Sequence, residues 1–130
     1  MIRTLFAALL TASGAIAEPN PDNGMEVYLN YCAACHGAGA KGDGPMVKLL
    51  KAIPADLTVL AEANDGVFPT FRIVRQIDGR DPLLSHGGEM PLFGHLFSYP
   101  DGSIAAETGQ PIITAQPIAD VAAWLQSIQE

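Results

Sequence analysis

Cys32-Ala33-Ala34-Cys35-His36 is the feature that most limits what this chain can become. It holds the only two cysteines in 130 residues. A disulfide across so short a loop would brace almost nothing. Two thiols three positions apart on one helical turn can both reach the vinyl groups along one side of a porphyrin and form thioethers. The next residue, His36, is then set under the iron with an imidazole nitrogen to offer. The pentapeptide therefore reads as the attachment site of one covalent c-type haem, with Cys32, Cys35 and His36 holding the cofactor. Two rival chemistries use the same cysteines. A redox dithiol normally opens a helix that follows a strand, and no βαβ pattern surrounds this one. A zinc site needs four ligands, and the remaining histidines, His86 and His95, lie 50 or more residues away.

The surroundings suit a small exported domain. Met1-Ile2-Arg3, an apolar run from Thr4 to Ala12 and the small residues of Ala15-Ile16-Ala17 have the form of a cleavable export signal. Thr4 to Ala17 is 14 residues, short of the about 20 that a membrane-spanning helix needs. The expectation is a signal peptide over 1–17, one haem domain over 18–130, a periplasmic location and no stable membrane span after cleavage.

Within that domain, Asn20 or Asp22 caps a helix running to about Ala34, with Gly24, Tyr28 and Cys35 on one side. Gly37 to Gly44 is a tight loop. Met46 to Lys51 reads as a helical turn ended by Pro54, and Asp56 to Ala63 as a short helix stopped by Asn64-Asp65-Gly66. Pro69 opens a helix carrying Phe71, Val74 and Ile77 that closes at Asp78-Gly79. Asp81 to Thr114 is mostly loop. Pro117 opens the clearest helix, with Ile118, Val121, Ala122, Leu125 and Ile128 at helical spacing. No run alternates for long enough to build a sheet. The expected fold class is all-α, with three to five short helices and long loops wrapped around one haem.

A haem iron held by His36 needs a second axial ligand from elsewhere. Met25, Met46, Met90, His86 and His95 are the candidates. Met90 is favoured, because Gly87-Gly88-Glu89-Met90-Pro91 is a loop able to bring backbone close to a flat cofactor. A Met/His pair also raises the potential above that of a bis-histidine iron. Arg72, Arg75 and Arg80, with Tyr99 and Trp124 as neutral possibilities, are the candidate donors to haem propionates. The formal charge of −7 argues against nucleic acid and anionic membrane, and suits redox partners with basic docking faces.

With the attachment motif, Gly42-Asp43-Gly44-Pro45 and Met90-Pro91 together, the chain resembles the class I c-type cytochromes. The segments Asp56 to Pro69 and Ile77 to Pro91 are similar to an exported bacterial monohaem subgroup. The resemblance implies that the motif-bearing helix crosses the last helix, with Gly24 and Tyr28 meeting Val121 and Trp124. It also implies that the Pro45 carbonyl accepts the Nδ1–H of His36. The stretch from Met90 to Pro117 is longer than a minimal member needs and has no assigned role. The expected function is single-electron transport with His36 and Met90 on the iron. Nothing in the sequence supplies bond-making chemistry, so no enzymatic activity is expected. The alternatives are a haem subunit of a larger exported oxidoreductase complex, or a haem catalyst or ligand sensor with an open iron.

Overall fold

A computed structural model describes residues 17–79, 90–97 and 99–130. The segment up to Ile16, where an export signal is expected, together with Arg80, His86 and Gly87-Gly88-Glu89, lies outside the described residues.

The first helix, α1 (Pro21–Tyr31), starts where the sequence places a cap. The Asn20 side-chain oxygen accepts from the backbone N–H of Asp22 (2.9 Å) and Asn23 (3.4 Å), satisfying donors that a helix start leaves orphaned. The expected run to Ala34 is interrupted at Cys32, whose φ/ψ of −113°/−35° closes α1 before a second short helix, α2 (Ala33–His36), begins. Pro69 and Gly79 bracket α3 (Thr70–Asp78), as the breakers require. Its buried face includes Ile73, Val74 and Ile77, while Phe71 is 48% exposed. The last helix, α4 (Gln116–Ser127), buries Ile118, Ala119, Val121, Ala122 and Leu125.

α1 packs across α4, and Gly24 sets how closely. A Cβ there would run into the Asp120 carbonyl and stand 2.9 Å from the Val121 nitrogen. One turn further on, the Tyr28 ring lies 4.4 Å from the Trp124 ring, tilted by 40°. Tyr28 is fully buried, and burial, with Cys32 and Asp43 adding, pushes its phenol well above the usual tyrosine range. Its hydroxyl donates to the Gly37 carbonyl at 2.7 Å, so the buried hydroxyl is satisfied.

The all-α expectation needs correction. Strands β1 (Gly102–Ala105) and β2 (Pro111–Thr114) form an antiparallel hairpin with Gly102 opposite Thr114 and Ala105 opposite Pro111. Each strand is four residues long, too short for alternation to stand out from a loop. Only Gly102, Ile104 and Thr114 of its residues are buried. The described residues are predominantly helical with one small sheet.

The helix expected over Asp56 to Ala63 is also absent apart from a 3-10 turn at Glu62–Asn64. Asp56 explains it. Its carboxylate accepts from the Thr58 N–H (2.9 Å) and the Thr58 hydroxyl (2.6 Å), a local closure that competes with helical bonding. Met46 to Lys51 likewise gives a single 3-10 turn, Val47–Leu49.

The end of the chain is clasped to this irregular segment. Gln129 accepts from the Ala61 N–H and donates to the Leu57 carbonyl. Lys41 donates to Thr58 and pairs with Glu130, both within 2.7 Å. The two bonds from Thr58, and to a lesser extent Lys41, hold the Asp56 carboxyl below its ordinary 3.8. A depressed carboxyl stabilises the fold above its unfolded value and loses that contribution as the pH falls through its folded value. Stability should therefore decline below about pH 4, and in Asp56→Asn the decline should be shallower. Denaturant midpoints across pH 2 to 7 measure this, and identical acid limbs would exclude Asp56 as a contributor.

Candidate haem site

The attachment turn is built by the protein's own backbone. The loop after His36 folds back beneath α2 and satisfies its carbonyls one by one. Gly37 N–H donates to Ala33 (2.9 Å), Met46 to Ala34 (3.0 Å), Gly44 to Cys35 (3.1 Å) and Gly42 to His36 (2.8 Å). Gly44 is needed for the approach, since a Cβ would stand 2.5 Å from the carbonyl oxygens of Ala34 and Cys35. The glycine-rich stretch is thus a brace under the cysteines, with its amides as the working groups.

Cys32, His36 and Met90 line one cleft together with Leu57, Ile73 and Ile77, and with Val121 and Leu125 of α4. Tyr28 and Gln76 complete the lining. Both cysteines are free and half-buried. Burial, then the neighbouring Cys35, pushes the Cys32 thiol up to about 11. That is opposite to the depressed value that makes a redox dithiol reactive. Among the described residues no three His, Cys, Asp or Glu side chains gather as a metal site would need.

His36 Nδ1 lies 3.2 Å from the carbonyl oxygen of Ala55. A carbonyl only accepts, so Nδ1 donates and Nε2 carries the lone pair. The expected acceptor, Pro45, is therefore corrected to Ala55. The residues on either side of Pro45 bond to the attachment turn through the amides of Gly44 and Met46. The ring of His36 instead meets the carbonyl of Ala55, on a segment pinned by Leu57 N–H to Ala40 O at 2.7 Å. Nothing in the sequence distinguishes that acceptor from Pro45.

Met90 is positioned by the segment on its C-terminal side. Phe93 N–H donates to Ile77 O (2.9 Å) and Gly94 N–H to Asp78 O (3.0 Å), strapping residues 90–97 to the end of α3. The Tyr31 ring meets Phe93 and Phe97 edge-on at 6.4 and 5.4 Å, tying the same strap to α1. Of the other ligand candidates, Met25 and Met46 are 45% and 41% exposed and neither lines the cleft. His95 is exposed on the strap.

The propionate candidates divide. Arg75 sits over the Phe71 ring at 5.2 Å, and Tyr99 is 78% exposed. Arg72 faces a different cleft, between the start of α3 and the hairpin, beside Glu107 and Ile112. Trp124 is taken up by Tyr28. Sequence reasoning missed Ala55, Gln76 and the aromatic strap, since an alanine carbonyl, a lone glutamine and two loop phenylalanines carry no motif.

The residues fit a covalent haem: Cys32 and Cys35 sit on one turn, and the Cys32 thiol, an imidazole with its lone pair fixed, a thioether sulfur and apolar side chains line one cleft. Comparison with known proteins agrees. In the solved structures, a chain of the Kuenenia stuttgartiensis reducing HAO-like protein complex matches with a TM-score of 0.55 and 21% identity, over 89% of this chain and 46% of that one. Such identity shows a shared fold alone, and the chain spans less than half of that neighbour's length. No curated protein matches at a significant level. The cytochrome c family profile matches residues 21–129, which covers the crossing helices, the attachment turn and the cleft. The chain belongs to the cytochrome c family.

Proposed function

We propose that the chain is an exported, periplasmic single-electron carrier with one c-type haem, bound through Cys32 and Cys35 and ligated by His36 and Met90. The observation that carries the reading is the meeting of Cys32, His36 and Met90 around one apolar cleft. Bound there, the haem supplies a one-electron ferrous/ferric couple. The chain's own residues do the rest. Cys32 and Cys35 fix one edge of the ring, and the Ala55 carbonyl orients His36 and strengthens it as a donor. Met90 offers a soft sulfur that favours a higher potential. Ile73, Ile77, Val121 and Leu125 keep water out, which favours the less charged state. The leader-like Met1 to Ala17 supports export, and among the described residues no helix is long and apolar enough to cross a membrane.

A redox titration followed by the optical spectrum tests the reading. The expected result is one electron per chain and a six-coordinate, low-spin spectrum that carbon monoxide leaves unchanged. A five-coordinate, high-spin spectrum that shifts with carbon monoxide would instead favour a haem catalyst or ligand sensor. The solved neighbour, a chain of a reducing HAO-like complex more than twice as long as the matched region, favours a second reading as a subunit of a larger oxidoreductase. Sizing the native protein separates a free shuttle from a subunit.

A further inference from the structure

The start of α4 carries an unbalanced polar cluster. Asp120 is 4% exposed, and its Oδ1 accepts from the Asn20 N–H and from Gln116 Nε2, both at 2.7 Å. Among the described residues no cation pairs with it. A buried carboxylate without a counter-charge is costly. Gln116 Nε2 also donates to the Glu18 carbonyl at 3.3 Å. Both of its partners only accept, so the carboxamide cannot be turned over. That leaves Gln116 Oε1, which among the described residues is the buried side-chain atom without a hydrogen-bond partner. Gly102 fixes where this oxygen lies, since a Cβ on Gly102 would stand 2.6 Å from it. Gly102 in turn pairs with Ala17 in a parallel bridge. An acceptor lacking a donor and a carboxylate lacking a cation therefore flank the Ala17–Glu18 peptide, the bond at which the leader-like segment is expected to end.

We propose that the α-ammonium of Glu18, released when residues 1–17 are removed, docks on Gln116 Oε1 beside the Asp120 carboxylate and fastens the start of the mature chain to α4. The proposal rests on the export reading above. Hydrolysis by a signal peptidase consumes one water. Its hydroxyl completes the carboxyl group of Ala17, and its other hydrogen goes to the Glu18 nitrogen, which takes up a further proton near neutral pH. Before cleavage that nitrogen is a neutral amide with one hydrogen. Afterwards it has three hydrogens and a charge, which suit an acceptor and a carboxylate. The nitrogen is three covalent bonds from the Glu18 carbonyl oxygen that Gln116 already holds, so rotation about the Cα–C bond swings it toward the same side chain. Two further charged groups stand at this spot. Asp101 accepts from the Gln116 N–H at 3.0 Å, offsetting the positive end of α4. The Glu18 carboxylate is the other, and both favour a charged amine.

The test uses the exported holoprotein, with intact mass locating its first residue. Cyanate carbamylates only the uncharged amine. Near neutral pH it should modify the Glu18 nitrogen about tenfold more slowly in the native protein than in denaturant, and Gln116→Leu should restore much of the denatured rate. Protein carbamylated at Glu18 and refolded should have a lower denaturant midpoint than the free-amine form, a difference absent in Gln116→Leu. An amine held charged stabilises the fold below its unfolded value of about 8 and loses that contribution as the pH rises through its folded value. The free-amine protein should therefore lose more stability than the blocked one between about pH 8 and 10. Should Gln116→Leu fail to fold, the wild-type rates and the pH profile decide alone. A chain that starts at Glu18, reacts at the denatured rate and keeps its midpoint when blocked overturns the docking and leaves export standing. A chain that keeps residues 1–17, or starts elsewhere, overturns the expected cleavage, and the proposal falls with it.

Discussion

Gly24→Val is expected to leave little folded holoprotein. The new Cβ would meet the Asp120 carbonyl, which is helix backbone and has no rotamer with which to move aside. The crossing can relieve the clash only by separating α1 from α4, and that uncovers Tyr28, Ile118, Ala119 and Ala122, each at most 1% exposed. Overpacking a filled core costs about 1–3 kcal/mol where side chains can shift, and here the obstacle is main chain. A loss at or above about 3 kcal/mol is therefore expected, a large part of the roughly 5–15 kcal/mol that holds a domain together. Gly24→Ala separates contact from propensity. Alanine favours a helix interior by about 1 kcal/mol over glycine, so a propensity-dominated site would be stabilised, while a contact-dominated site loses stability. Denaturant unfolding of both variants decides, and a rise in midpoint for Gly24→Ala would contradict the crossing as described.

Met90→Ala is expected to have the largest effect on the redox chemistry. Axial ligands command a span of about 0.8 V in haem proteins, and a thioether on iron raises the potential relative to nitrogen or oxygen donors. Removing the sulfur should lower the midpoint by on the order of 0.1 V or more within that span, and let carbon monoxide bind. Folding should survive, because residues 90–97 are strapped to α3 through Phe93 and Gly94 rather than through Met90. Met90→His should restore six-coordination without restoring the potential. A variant with unchanged spectrum and potential would remove Met90 from the iron.

Legibility in the sequence tracks how local each signal is. The attachment turn, the Asn20 cap, the bounds of α3 and the start of α4 each rest on residues within a few positions of one another, and the chain carries them openly. Gly24 against α4 was legible only through family resemblance, because the contact joins distant segments. The failures have the same origin in reverse. At Asp56 a side chain captures the backbone that propensity would have made helical. At β1 and β2, pairing comes from a partner strand, and four residues hold too few alternations to announce it. The acceptor for His36 is a backbone carbonyl, and every residue has one.

The crossing of α1 and α4 also sets an order of events. Asn20 N–H and the Asp120 carboxylate, bonded at 2.7 Å, are 100 positions apart, and contacts of such separation form late because chain closure is entropically slow. The attachment turn is the opposite case, braced by amides no more than 12 residues away. Since Val121 and Leu125 of α4 supply one wall of the cleft, a nascent chain owns its cysteine turn before it owns its pocket. A broad, rigid ring can therefore be stitched on from the side while that wall is missing, and the last helix then shuts behind it.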